Sequence, residues 1–196
     1  MTSSPPFLTE EQGKQLVRLA RKALTDRLDP EQAGTAAETT DPADDDPALQ
    51  TVCGTFVTLK LKGELRGCIG NLSAQEPLTD SVRHNAVNAA IHDPRFSPLT
   101  AEELARVRIE VSVLTAPRPL QYHGKEELLD RIRPGVDGVT LRKGCCCATF
   151  LPQVWEKLPD PADFLDNLCY KMGAAPDLWR KKHLDVLVYQ VEEFHE

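Results

Sequence analysis

The sequence predicts an α+β fold on a largely antiparallel sheet flanked by helices. Three observations carry this. Helical and strand-like periodicities alternate without the regular strand–helix–strand rhythm of a parallel sheet. Two β-rich stretches each fold back about a Lys-Gly pair, Lys62-Gly63 and Lys143-Gly144. Hydrophobic residues make up 41% of 196, enough for one core or for one core with a small lobe beside it.

Each element has its own local signal. Thr9-Glu10-Glu11-Gln12 has the form of a capping box, and Leu16, Leu19, Ala20, Ala23 and Leu24 recur at helical spacing, predicting a helix over residues 10–27. Residues 28–48 turn acidic and rich in Pro, Ala and Thr, with Glu38, Asp41, Asp44, Asp45 and Asp46 repelling one another; this predicts a flexible linker inside the domain. Residues 54–69 read as a hairpin, and a plain two-residue turn at Lys62-Gly63 sets Val57 opposite Cys68. Residues 77–91 look helical, with Leu78, Val82, Ala86, Ala89 and Ala90 on one face, and Pro94 ends the run. Thr100 to Glu103 opens a short capped helix, and residues 107–114 alternate as a strand. A short helix over 125–132 and a second hairpin over 138–150 follow. Asp160-Pro161 starts a helix that Gly173 ends, and residues 185–191 form a closing strand.

Charge and composition exclude some partners. The formal net charge is −7, which argues against a nucleic-acid backbone as partner. Arg180, Lys181 and Lys182 read as a solvated helix end rather than a phosphate site. The start MTSSPPFLTEE lacks the basic and apolar regions of a secretory signal, and no apolar run approaches the roughly 18 residues of a membrane span. A cytoplasmic location with reduced thiols and no membrane partner is therefore expected. The six cysteines (Cys53, Cys68, Cys145, Cys146, Cys147 and Cys169) contain no C-x-x-C pair, so no structural metal is expected. Phosphate loops and haem or iron–sulfur spacings are also missing, so no cofactor is expected.

The candidate chemistry centres on residues 65–70, LRGCIG. Gly67 and Gly70 around Cys68 let the backbone bend and let another group come close. Arg66 and Cys68 share a face if the strand runs on regularly, and a guanidinium beside a thiol favours the thiolate. The alternative is a buried cysteine packed as a small apolar residue against Val57. A thiol nucleophile needs a base, for which His84 and His92 on the following helix are the nearest in sequence. Asp93 and Arg95 either pair across Pro94 to fix the turn, or leave Arg95 at a pocket edge to hold a carboxylate or phosphate. Glu110 shares a strand face with Ser112; it is either solvated or a general base in a cleft. Along a strand Cys145 and Cys147 take one face and Cys146 the other, so the three do not easily hold one ion.

These residues resemble those of the AMMECR-type domain family, in the form found in the AmmeMemoRadiSam system. GTFVTL (54–59) precedes GELRGCIG (63–70); DPRFSPLT (93–100), IEVSVL (109–114), FLPQVW (150–155) and FLDNLCYKMG (164–173) follow. The resemblance spans nearly the whole chain outside the acidic segment. It implies a larger lobe and a smaller lobe with LRGCIG near the cleft between them. It also implies two partners, a Memo-like protein and a radical S-adenosylmethionine enzyme. Arg66, Gly67, Cys68, Gly70, Asp93, Arg95 and Glu110 carry over as candidate site residues, whereas His84 and His92 are outside the family pattern. This chain departs from that pattern in its longer acidic segment and in Cys145–Cys147. Two functions follow as expectations: an accessory, partner-binding protein, or a thiol-dependent enzyme using Cys68 as nucleophile or carrier.

Overall fold

Thr9 caps the first helix as its sequence requires: its hydroxyl accepts from the Gln12 N–H, and the Gln12 side chain accepts from the Thr9 N–H. The computed structural model describes residues 7–30, 41–72 and 75–196. In chain order the strands are β1 (Thr55–Leu61), β2 (Glu64–Asn71), β3 (Val107–Leu114), β4 (Arg118–Pro119), β5 (Gly138–Lys143), β6 (Cys146–Phe150), β7 (Asp185–Tyr189) and β8 (Val191–His195). The helices are α1 (Glu10–Leu28), α2 (Leu78–Ile91), α3 (Ala101–Leu104), α4 (Lys125–Arg131), α5 (Pro161–Lys171) and α6 (Leu178–Lys181). The chain divides into two compact units, Met1–Leu114 with Glu192–Glu196, and Thr115–Val191.

The first unit is a sheet in the order β2-β1-β3-β8 with α1 and α2 packed on one face. Alternation along the strands explains this. Val57, Leu59, Ile109, Val111 and Val113 are buried on the helix side, beside Leu16, Ala20 and Leu24 of α1 and Val82, Ala86 and Ala89 of α2. Phe56, Thr58, Lys60, Glu110 and Ser112 take the opposite face and are half-buried.

The second unit has its own sheet, in the order β4-β7-β5-β6, and its own core. Val139 and Leu141 of β5 meet Phe164, Leu165 and Leu168 of α5 there. The Trp155 and Phe164 rings stack at 3.7 Å and 6°, and the buried Trp155 indole donates to the Asp137 carbonyl at 2.7 Å. Arg180 pairs with Asp166 and lies 4.2 Å over the Trp179 ring, while Lys181 pairs with Asp177, so the basic run closes α6.

The α+β class holds, on two four-stranded sheets. Three expectations need correcting. The expected closing strand is two strands in two sheets, β7 and β8, parted at Gln190. The second hairpin turns at Gly144-Cys145, since Lys143 pairs with Cys146. Gly144 carries the positive φ that Lys143 would have needed. Finally, of the acidic segment 28–48, residues 31–40 lie outside the described residues, but its second half is built into the first unit. Ala43 is buried, Asp44 pairs with Arg83 at 2.8 Å, and Asp46 accepts from Gln12 at 3.0 Å. Partners distant in sequence supply the cations and donors that the segment itself lacks.

Removing the largest fully buried side chain of the second unit gives a local readout. Phe164→Ala should cost about 3–5 kcal/mol, read as a lower urea midpoint for Trp155 fluorescence. An unchanged midpoint would mean that the stacked pair does not hold this core.

Candidate functional site

A one-residue irregularity in β2 sets the orientation of LRGCIG. The β1–β2 hairpin turns at Lys62 and Gly63, both at positive φ. Leu61 then pairs with Glu64 and Lys60 with Leu65, but Leu59 pairs with Gly67 and Thr58 with Cys68, so Arg66 is an extra residue. Because side chains alternate, this bulge exchanges the faces of everything that follows it. Gly67 turns toward the helices, where a Cβ would lie 2.1 Å from the Ala89 carbonyl oxygen of α2. Cys68 turns to the opposite face, against Thr58 rather than Val57, and the Thr58 hydroxyl donates to Cys68 Sγ at 3.3 Å. Gly70 lies opposite Phe56, where a Cβ would meet that ring at 2.4 Å.

The backbone of Cys68 is held from the open side of the edge strand. Its N–H donates to Asp93 Oδ2 at 2.8 Å, and its carbonyl accepts from Arg95 Nη2 at 3.3 Å. Arg95 closes the loop on Asp93 with Nη2 to Oδ2 at 2.6 Å and Nε to Oδ1 at 2.9 Å, and its own N–H adds a third bond at 3.1 Å. The Asp93 side chain is 2% exposed and that of Arg95 53%. Hydrogen bonding from Arg95 holds the Asp93 carboxyl well below the usual carboxylate range against the opposing effect of burial. The same bond raises Arg95, with smaller contributions from the Cys68 side chain.

Arg66 points away to a different set of partners. It grips Glu103 bidentately at 2.8 and 3.0 Å and donates to the Ser97 carbonyl at 2.9 Å. The Arg66 bond lowers Glu103 to about 2. Glu103 also completes the capping box of α3 by accepting from the Thr100 N–H.

On the outward face, Cys68, Thr58 and Glu110 form one row across β2, β1 and β3. Glu110 is bound by Lys60 at 2.6 Å and approached by His195 at 3.5 Å. Thiol and carboxylate sit two strands apart, roughly 9–10 Å between backbones, with the Thr58 hydroxyl between them. The arrangement offers hydroxyls, a thiol and an ion pair on one surface, with no direct thiol–base contact among these described residues.

The structure thus brings Cys68, Asp93 and Arg95 together, with Gly67 and Gly70 giving close approach and Glu110 on the same outward face as Cys68. Arg66 is the correction: the bulge removes it from the face of Cys68, and Glu103 takes its charge. His84 pairs with Glu76 and His92 with Asn88, so each nearby histidine has another partner. Sequence reasoning missed Thr58 and Lys60; their alternation along β1 was the available signal. Among the described residues no group of three or more His, Cys, Asp or Glu side chains is placed to hold a metal ion. None of the described helices is long and apolar enough to cross a membrane.

Comparison with known proteins agrees with this architecture. A family model described as AMMECR1 matches residues 17–194. A protein of Thermofilum pendens is 39% identical, covering 96% of this chain and 92% of that protein. One from Methanothermobacter thermautotrophicus is 38% identical and covers 96% of each. The crystal structure of the uncharacterized protein PH0010 from Pyrococcus horikoshii matches with a TM-score of 0.79 at 35% identity, over 97% of this chain and 94% of that one.

The clamp makes two checkable statements. Asp93→Ala removes the acceptor of the Cys68 N–H and should cost about 2–4 kcal/mol, with faster hydrogen exchange at Cys68. Both tryptophans lie in the second unit, so circular dichroism and exchange are the suitable probes. Asp93 and Glu103 bind fewer protons folded than unfolded, so their stabilisation is complete above about pH 4.5 and declines as pH falls toward 2. Asp93→Asn should flatten that acid limb; an identical slope would show that Asp93 does not couple protonation to folding.

Proposed function

The chain belongs to the AMMECR1 family, and from that premise we propose that it is an accessory, partner-binding protein whose contact surface is the outward face of the first sheet around Cys68. One observation carries this reading: side chains occupy both backbone groups that Cys68 turns outward from the edge strand β2. An edge so closed does not accept another strand there, which leaves the side-chain face as the part available to a partner. That face mixes the Phe56 ring, the Thr58 and Ser112 hydroxyls, the Cys68 thiol and the Lys60–Glu110 pair. Such a mosaic suits a separable protein partner better than a permanent apolar interface. The partners implied by the family resemblance, a Memo-like protein and a radical S-adenosylmethionine enzyme, are the first to test.

A second reading rests on the Thr58 bond to Sγ. In it, Cys68 is a nucleophile or carrier, with the Thr58 hydroxyl and Arg95 positioning the sulfur.

Co-purification with the two candidate partners separates the readings. Under the binding reading, at least one partner is retained, shields Cys68 from alkylation, and is lost when Lys60→Glu and Ser112→Arg alter the face. Cys68→Ser should bind within a factor of about three of the unaltered chain, since it keeps the backbone clamp and a small polar side chain. Retention of neither partner, or full retention by the face variants, would sink the binding reading. Loss of biological activity in Cys68→Ser with binding intact would favour the thiol enzyme.

A further inference from the structure

The tip of the second unit's hairpin brings three thiols and two cations together. Lys143 pairs with Cys146 and Arg142 with Cys147, which leaves Gly144 and Cys145 as the turn. Cys145, Cys146 and Cys147 are all exposed. In a two-residue hairpin the pair beside the turn exchanges backbone hydrogen bonds and the next pair does not. Arg142 and Cys147 are that next pair, with the closer approach of side chains. They share one face of the sheet with Asp185, which pairs with Arg142 from β7. Arg142 also lines a cavity of about 260 Å³ with Gln121, His183, Asp185 and Leu187. His183 is fixed there by stacking on Tyr122 at 4.3 Å. An exposed thiol therefore stands directly across the hairpin from Arg142, and Arg142 in turn lines a small polar cavity.

The remaining thiols are in different settings. Burial pushes Cys53 up to about 11, and Cys169, fully buried, is raised for the same reason. Cys68 is half-buried in the face already described.

We propose that Cys147 is a thiol–disulfide exchange site for anionic low-molecular-weight disulfides, such as glutathione disulfide, whose carboxylate is held by Arg142 at the cavity mouth. The Cys147 thiol gives its proton to solvent, and the thiolate attacks one sulfur of the disulfide. A new S–S bond to Cys147 forms as the old one breaks. The departing half leaves with the electron pair as a thiolate and takes a proton from solvent. The small disulfide is the oxidant, so nothing further is required. Arg142 selects by charge and fork geometry, since a guanidinium meets a carboxylate with two parallel N–H bonds.

The test uses the full chain with glutathione disulfide and, separately, with the cationic disulfide cystamine, quenched in acid and mapped by mass spectrometry. Both rates are referred to a small free thiol. The first glutathione adduct should form on Cys147, with glutathione disulfide preferred over cystamine. Cys145→Ser with Cys146→Ser should keep this preference, and Cys147→Ser should abolish the first adduct. Arg142→Gln should slow the glutathione reaction roughly three- to fivefold while quickening that of cystamine. The preference should also shrink as salt shortens the screening length, a readout on the unaltered chain that holds even if Arg142→Gln fails to fold. A first adduct on Cys145, Cys146 or Cys68, a preference for cystamine, or a salt-independent ratio would each overturn the proposal.

Discussion

A single extra residue in β2 decides what the LRGCIG stretch can touch. Without the bulge at Arg66, Cys68 would lie opposite Val57 and face the helices, and Gly67 would face outward. With it, the residue lacking a side chain meets the α2 backbone, and the thiol meets the Thr58 hydroxyl. The helix can then come close enough that Asp93, two residues beyond the end of α2, reaches the Cys68 amide. The glycine, the bulge and the aspartate form one device: lose the bulge, and the helix contact and the backbone clamp lose their geometry together.

The charges around this device close on themselves. Burying the Asp93 carboxylate would be costly alone, but it accepts from the Cys68 N–H, the Arg95 N–H and the Arg95 guanidinium. Arg95 stays half in water, so only one member of the pair is fully desolvated. Arg66 and Glu103 neutralise each other in the same way on the other side of the strand. Two cations and two anions thus cancel near the thiol, whose direct neighbour is a neutral hydroxyl. The outward face consequently offers shape and hydrogen bonding rather than net charge.

Elements with local signals were legible in the sequence. The Thr9 and Thr100 capping boxes, the Pro-first start of α5 and the alternation of β3 each depend on neighbours within a few residues, and each formed as its pattern implies. What stayed illegible depends on distance. The bulge has no signature of its own, because Arg66-Gly67 is compatible with either register. Gln190, which parts β7 from β8, is neither Gly nor Pro, so the strand pattern runs through the break between sheets. The acidic segment looked self-repelling because Arg83, the cation that pairs with Asp44, comes much later in the chain. The candidate site divides the same way. The Asp93–Arg95 pair could be read from spacing, but its hold on the Cys68 backbone could not.

Cys68 and Cys147 stand in opposite settings, one half-buried and one exposed. At Cys68 the backbone is fixed by a buried carboxylate, the nearby charges cancel, and the sulfur accepts a bond from Thr58. Every feature there restricts motion and defines a surface. At Cys147 the backbone belongs to a short exposed hairpin; Arg142 has Asp185 across from it in β7, and neither Arg142 nor Lys143 is in a salt bridge among the described ion pairs. A thiol held for recognition gains from a rigid neutral surround. A thiol held for exchange gains from access and an uncommitted cation to draw in an anionic disulfide. The two settings lie in different units, each with its own sheet and core.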